Sequence, residues 1–469
     1  MFVTHAGACD GRVPSCSQCL HTGRSCGGYQ YDLIFVGSNV PIKPKSSRRS
    51  PRNSSKPPDA PTTATATLAP GIPQQVNDVL SLVARSFIPA WPTTEESPAR
   101  LRSSSRICGA WIEKVPELGT TGYHGKALQD SIKAFGSAIV SQGALGAAST
   151  ADALDAHGVA LSSIRCALRR RQTTGPNELS AAIMFLFLTE ILLPQASSSR
   201  FHAAGLSQLM RAQGPSFYVS GISHDLFVGF RPSITVWSIS ARKSLFLGSH
   251  EWSTIPFQET PPDPLQSLMT IGTCISSELE NIDDICENFE PSRAFDCIDF
   301  LKDIVMQLDN WKNSHIKNAL PQESSHSDGK SLSTHDILYH DVTEANVLTH
   351  YWAFSIICAV QARSLHQYVA DLRPLPLELE IPEVTLKSNA TFIMQSVEYL
   401  ARQEMKLYGA ISLTLPLKVS HEYLERHGGP AEVALCRRVM ENIDLKGHYY
   451  LRNFVSSDHK LLWPLRNAK

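Results

Sequence analysis

Residues 180–193, SAAIMFLFLTEILL, decide how this chain folds. The run is apolar on most sides of a helical wheel, which is typical of a helix buried at the centre of a helical protein. Thr189 and Glu190 interrupt it, and it is shorter than the roughly 20 apolar residues that a membrane-spanning helix needs. We therefore predict a central buried helix, capped at its start by Asn177, and no membrane segment.

The sequence on both sides of this run also has helical spacing. Apolar residues recur every three or four positions at Leu128, Ile132, Phe135 and Ile139, and again along 154–168, 224–243, 342–369 and 384–407. Pro232 falls inside one of these segments and predicts a kink there. Alternating strand patterns bounded by turn residues are scarce. We predict an all-α domain over residues 74–469, with about 12 to 15 helices of ordinary length.

Composition divides the chain into three zones. Residues 1–36 hold a cluster of cysteines, residues 37–73 hold eight prolines with many Ser, Thr and Ala, and residues 74–469 hold the helical patterns. The first 73 residues carry a net charge of +5 and the remainder −6, so a basic head precedes a mildly acidic body. The proline-rich zone has too few large apolar residues to fold alone and is predicted to be an extended linker.

The cysteine cluster predicts a zinc site. Cys9, Cys16, Cys19 and Cys26 have the spacing C-x6-C-x2-C-x6-C, and four thiolates are a complete tetrahedral shell for one zinc ion. The other seven cysteines are dispersed and no signal peptide precedes them, which favours a reducing compartment with free thiols. Buried structural cysteines are the alternative, but the segment is too polar and glycine-rich to form a core.

Residues 9–29, CDGRVPSCSQCLHTGRSCGGY, resemble the second part of the fungal Zn2Cys6 binuclear cluster. The likeness includes Pro14 between two cysteines and the Gly-Tyr pair after the last one. It implies that the four cysteines are the third to sixth ligands of such a cluster. It also implies a nuclear transcriptional regulator of RNA polymerase II genes that binds zinc, DNA and transcriptional coregulators.

The resemblance stops at Cys9. The family's second cysteine would fall on Phe2 and its first before Met1, and residues 3–8 lack the Arg and Lys of the helix that contacts DNA. We therefore expect at most one four-thiolate site and impaired DNA binding in the chain as written. We also expect the native start to lie upstream, as in a truncated gene model. His5 is a less favoured substitute ligand.

The linker carries six cations with no acid among them: Lys43, Lys45, Arg48, Arg49, Arg52 and Lys56. Such a run is typical of a nuclear-import signal or of an arm that contacts phosphates. A solvated linker whose charges prevent collapse is the alternative.

A second resemblance lies in the helical body. HAAGL at 202–206, HDLF at 224–227, FRP at 230–232, EW at 251–252 and IPF at 255–257 resemble the core of the fungus-specific transcription factor domain. This likeness implies an α-helical regulatory region that contacts partners, forms a homodimer or responds to a small-molecule effector. The acidic stretch 278–290 is either an activation segment or, as we prefer, an ordinary amphipathic helix.

The sequence contains none of the common catalytic or phosphate-binding motifs, including G-x-S-x-G, H-E-x-x-H and G-x-x-x-x-G-K-[ST]. Its 17 histidines are dispersed; His335 and His340, or His350 and His366, show no acidic or cysteine partner at ligand spacing, and each is interpreted as a core or surface residue. We therefore predict a regulator, not an enzyme. Two alternatives stay open: a helical regulator that acts by protein association without DNA contact, and a helical enzyme with an N-terminal metal site.

Overall fold

The computed structural model describes residues 75–90, 107–119, 122–142, 149–169, 175–193, 199–288, 290–316, 337, 339–369, 381–457 and 460–462. Within these ranges the chain forms sixteen α-helices, several short 3-10 turns and no strand. The prediction of an all-α body is therefore confirmed. The four N-terminal cysteines and the six cations of the linker lie outside the described residues.

In chain order the helices are α1 Val76–Phe87, α2 Trp111–Lys114, α3 Gly122–Ser141, α4 Thr150–Arg169, α5 Pro176–Leu192, α6 Ser199–Gln213, α7 Gly221–Ala241, α8 His250–Thr254, α9 Pro264–Glu287, α10 Pro291–His315, α11 Val342–Val369, α12 Glu383–Leu400, α13 Lys406–Ser412, α14 Thr414–His427, α15 Pro430–Leu445 and α16 Tyr449–Val455. The predicted number was slightly low because α2, α8, α13 and α16 have only four to seven residues, too few to show a period.

Helix α5 is the buried central helix that the sequence predicts. Thirteen of its 17 residues are buried, and it packs against α3, α4, α6 and α7. It begins at Pro176 instead of after Asn177, with Gly175 as the N-cap at φ 93°. Proline is favoured at the first helical position because its missing N–H would have no partner there, which explains the difference.

Proline 232 lies inside α7, and the helix continues through it. A proline has no N–H to donate, so the carbonyl four residues earlier, that of Val228, loses its helical partner. Two side chains replace that partner: Gln266 Nε2 donates to the Val228 oxygen at 3.0 Å and Cys108 Sγ donates to it at 3.1 Å. The proline thereby ties α7 to α9 and to the segment before α2.

The motif residues between 224 and 257 form one aromatic cluster. Phe227 stacks on Trp252 with ring centroids 6.1 Å apart and meets the edge of Phe257 at 5.8 Å. The buried guanidinium of Arg231 lies 5.4 Å from the Phe257 ring and donates to the Gln266 carbonyl at 2.7 Å. The motif therefore has a structural role, since it joins α7 to α8 and to the start of α9.

The described part of the acidic stretch, 278–288, belongs to an amphipathic helix, as preferred from the sequence. Leu279, Ile282 and Ile285 of α9 are buried, while Asp283 pairs with Arg242 at 2.8 Å and Glu280 pairs with Lys243 at 3.0 Å. Because three of its acids are engaged in ion pairs and Glu278 is buried, this segment serves packing. None of the described helices combines the length and apolar character needed to cross a lipid bilayer.

Candidate ligand cavity

A cavity of about 490 Å³ lies among α5, α7, α11, α13 and α16, with further wall residues from α1, from α2 and the segment before it, and from the start of α14. Its volume falls within the roughly 300–1,000 Å³ of sites that hold drug-sized ligands. Large apolar side chains make up much of the wall, including Trp111, Phe187, Trp237, Ile411 and Phe454. A cavity of this size and lining is the strongest candidate for a binding site in the described part of the chain.

Close backbone contact builds one wall. A Cβ atom on Gly229 of α7 would lie 2.5 Å from Cδ1 of Trp111, so only glycine lets this indole pack on the helix. Gly109 has φ +66°, and a Cβ there would lie 2.3 Å from the Asp225 carbonyl oxygen. The two glycines hold the segment 107–111 directly against α7, which positions both Trp111 and Cys108 at the cavity.

A hydrogen-bonded group of polar side chains lies at the cavity. The hydroxyl of Tyr408 accepts from the Cys108 backbone N–H and from Asn346 Nδ2, each at 3.3 Å. Burial raises the pKa of both the Tyr408 hydroxyl and the Cys108 thiol, so both are protonated at neutral pH. The side-chain oxygen of Asn346 is buried and has no hydrogen-bond partner among the described residues. It is an acceptor without a donor.

His350 follows Asn346 by one turn of α11 and also lines the cavity. Its Nδ1 lies 2.8 Å from the Asn346 carbonyl oxygen, which fixes the proton on Nδ1 because a carbonyl can only accept. Burial lowers the pKa of His350 to about 4, so the ring is neutral at pH 7. In this tautomer Nε2 carries a lone pair and is a second acceptor at the cavity.

The cavity wall also contains a donor without an acceptor. The indole Nε1 of Trp237 is buried and has no hydrogen-bond partner among the described residues. An unpaired buried N–H costs about 1–3 kcal/mol relative to a paired one. This N–H and the Asn346 side-chain oxygen have almost no accessible surface, so His350 Nε2 is the unpaired acceptor at the wall that a bound molecule would pair with.

Glu190 of α5 is the acidic residue in the described lining. Its carboxylate oxygens lie 2.9 Å from His157 Nε2 and 2.7 Å from His202 Nδ1. Burial acts to raise the pKa of Glu190, but the hydrogen bonds from both histidines act the other way and lower it overall. The carboxylate is thus occupied by imidazoles of α4 and α6, and it ties these helices to α5.

The residues that make this site differ from those that the sequence analysis emphasised. His350 was interpreted as a core or surface histidine, and it is buried at the cavity. Asn346 and Trp237 were not singled out; two polar residues one turn apart in the apolar stretch 342–369 were the available signal. Among the described residues no group of three His, Cys, Asp or Glu side chains forms a metal site, and the predicted zinc ligands lie outside this part.

Removing the imidazole of His350 is expected to remove a source of acid sensitivity. Its folded-state pKa of about 4 lies below the ordinary value near 6.5, so the unfolded chain takes up a proton first as the pH falls. Stability is lost from about pH 6.5 downward and reaches about 3 kcal/mol by pH 4. Between pH 7 and pH 4, the free energy of unfolding of the wild type should fall by that amount relative to His350→Gln, as measured by urea unfolding.

The control is Asn310→Gln, at an exposed position of α10 without a titratable group, which should leave the slope of stability against pH unchanged. Parallel curves for the wild type and His350→Gln over this range would contradict a neutral buried imidazole at the cavity.

Comparison with known proteins adds no relative. No protein-family model matches the chain, and no match is found among the curated proteins or the solved structures. The likeness to zinc-cluster regulators therefore rests on the quoted sequence motifs and stays a prediction.

Proposed function

We propose that this chain is a zinc-dependent transcriptional regulator whose helical body binds a small-molecule effector. One observation carries the proposal: a four-cysteine motif and a cationic linker precede an all-α body that contains a ligand-sized, largely apolar cavity. The chemistry of the cavity favours binding over catalysis. Its thiol is protonated and its imidazole is a weak base, so neither is primed as a nucleophile or general base at neutral pH.

Each part of the chain has a role in this proposal. Cys9, Cys16, Cys19 and Cys26 hold one zinc ion, and the metal supplies the folding energy that so small a segment lacks. The six linker cations contact DNA phosphates and direct the protein to the nucleus. The helical body binds transcriptional coregulators, a second copy of the chain and the effector.

The absence of Arg and Lys from residues 3–8 favours one variant of this function. Phosphate contacts from the linker give affinity without sequence readout, since base edges are read by side chains in the groove. A chain of this kind regulates by association with another DNA-bound protein. Both variants use the same zinc segment and helical body, and they differ in whether the chain itself selects a DNA sequence.

Zinc content tests the proposal. We expect the purified full chain to hold about one zinc ion per molecule by elemental analysis, as four thiolates complete one tetrahedral shell. Cys19→Ser should lose it, because removal of one thiolate opens that shell. The control is Cys166→Ser, at a half-buried cysteine of α4 that forms no disulfide.

A reporter assay accompanies the metal analysis. The full chain, tethered to a promoter through an added DNA-binding module, should change transcription of the reporter. A chain without zinc would contradict the metal assignment, and equal loss in Cys166→Ser would contradict its location. Unchanged transcription would contradict the regulatory role.

A further inference from the structure

We infer that the cavity takes an uncharged, mainly apolar molecule that carries a hydroxyl or N–H donor. This inference rests on the proposed function in one respect, namely that the cavity is an effector site. It names the chemical class of that effector, and it follows from the charge, the unpaired imidazole nitrogen and the walls of the cavity.

The charges of the cavity disfavour ions. Among the described lining residues there is no lysine or arginine to pair with an anion. The carboxylate of Glu190 is buried and accepts hydrogen bonds from His157 and His202, so it offers a cation little free surface. An ion that leaves water for such a site loses its hydration without an equivalent partner, and that penalty is large. A neutral molecule avoids it.

An unpaired acceptor defines the polar group of the ligand. His350 lines the cavity from α11, and its Nε2 carries a lone pair because Nδ1 donates to the Asn346 carbonyl oxygen. The Asn346 side-chain oxygen and the Trp237 N–H are also unpaired, but they have almost no accessible surface and are closed to a ligand. A hydroxyl or an amide N–H donates to the imidazole nitrogen, whereas a hydrocarbon or an ether leaves it unpaired.

The walls define the remainder of the molecule. The described lining contains the aromatic side chains of Phe87, Trp111, Phe187, Trp237 and Phe454, and aliphatic side chains from α5 and α13. Burial of apolar ligand surface against such walls supplies most of the binding free energy, while the polar group sets orientation and selectivity. The combination describes a hydrophobic alcohol or amide.

Four probes of matched length test this class on the zinc-loaded full chain: 1-decanol, 1-methoxynonane, decanoate and decylammonium. Each competes with the neutral dye Nile red at pH 7.5, followed by dye fluorescence. We expect the alcohol to displace the dye at concentrations at least tenfold lower than either ion and about tenfold lower than the ether, which lacks the donor. Ser233→Leu, which adds bulk at the cavity wall, should weaken dye and alcohol together.

Two variants locate the polar recognition. His350→Leu and His350→Phe each remove the imidazole acceptor, and both should reduce the preference for alcohol over ether several-fold. Asn310→Leu, at an exposed asparagine of α10, should leave it unchanged. Because burial keeps the imidazole neutral, both apolar replacements remove no buried charge, and either one tests the assignment if the other fails to fold.

The outcomes separate this inference from the proposed function. Decanoate or decylammonium binding as tightly as the alcohol would overturn the ligand class, as would an equal affinity for alcohol and ether. Dye binding that Ser233→Leu leaves intact would overturn the location. Zinc content and reporter activity do not depend on these probes. A chain that holds zinc and changes transcription but fails the probe series would contradict only the ligand class. A chain that prefers the alcohol but lacks zinc would contradict only the proposed zinc-dependent regulator.

Discussion

Replacing Glu422 by leucine is expected to lower the free energy of unfolding by about 3–5 kcal/mol, while the same change at Glu425 has almost no effect. Both glutamates lie on α14, but Glu422 is buried and Glu425 is exposed. The Glu422 carboxylate lies 3.3 Å from the ammonium of Lys418, which is buried one turn earlier. Its removal leaves that ammonium as an uncompensated buried charge.

The pair forms a C-terminal clamp, which we define as Lys418, Glu422 and the segment 460–462. Glu422 accepts hydrogen bonds from the backbone N–H groups of Leu461 and Leu462 at 3.0–3.1 Å. Lys418 donates to the carbonyl oxygens of Phe454 and Val455 at 3.4 and 3.3 Å, at the end of α16. Burial lowers the pKa of Lys418, and the nearness of Glu422 acts against that shift.

The measurement is denaturant unfolding of the wild type, Glu422→Leu, Lys418→Met, the double variant and the control Glu425→Leu. Each single change in the clamp leaves one charge buried without its partner. The double variant removes both charges, and we expect it to recover a large part of the lost stability. Additive losses in the double variant, or an equal loss in Glu425→Leu, would show that the clamp is not an ion pair shielded from water.

The clamp also bears on ligand binding. Tyr450 and Phe454 of α16 line the cavity, and Lys418 donates to the last carbonyl groups of that helix. A cation at a helix C-terminus pairs with carbonyl groups that have no helical partner. Loosening α16 by Glu422→Leu is therefore expected to weaken Nile red binding, even though Glu422 is not among the lining residues.

The helical fold could be predicted from the sequence because its signals are local. The all-round apolar character of 180–193 and the spacing of Leu128, Ile132 and Phe135 arise within single helices, and these residues are buried. The spacing of the four cysteines is local as well, and it predicts zinc without knowledge of any other element. That prediction concerns residues outside the described part of the chain, so it stays a prediction.

The cavity could not be predicted in the same way, because its residues come from distant segments. Cys108 meets Tyr408 across 300 positions, and Asn346 donates to the same hydroxyl across 62. Lys418 within the run TLPLKVS would ordinarily be placed at the surface, since an isolated lysine is rarely buried without a partner. Its partner is visible at i+4 as Glu422, but the spacing cannot distinguish a buried pair from an exposed one.

Removal of the Trp111 side chain is expected to be about as damaging as the loss of Glu422, at about 3–5 kcal/mol by denaturant unfolding. Trp111 is 2% exposed, and its ring centroid lies 5.1 Å from those of both Phe185 and Phe230. The close fit to Gly229 means that no neighbouring side chain fills the space left by Trp111→Ala. Phe300→Ala, at a phenylalanine of α10 that is 40% exposed, is the control and should cost little.

Trp111→Ala also separates packing from recognition, because Trp111 lines the cavity but supplies none of its unpaired polar atoms. The added space joins the cavity, so the variant should hold Nile red less tightly and still prefer 1-decanol to 1-methoxynonane. Trp111→Phe, which keeps an aromatic ring, should lose less stability than Trp111→Ala and bind closer to the wild type. If Trp111→Ala instead abolished the preference for the alcohol, selectivity would depend on the shape of the wall and not on His350.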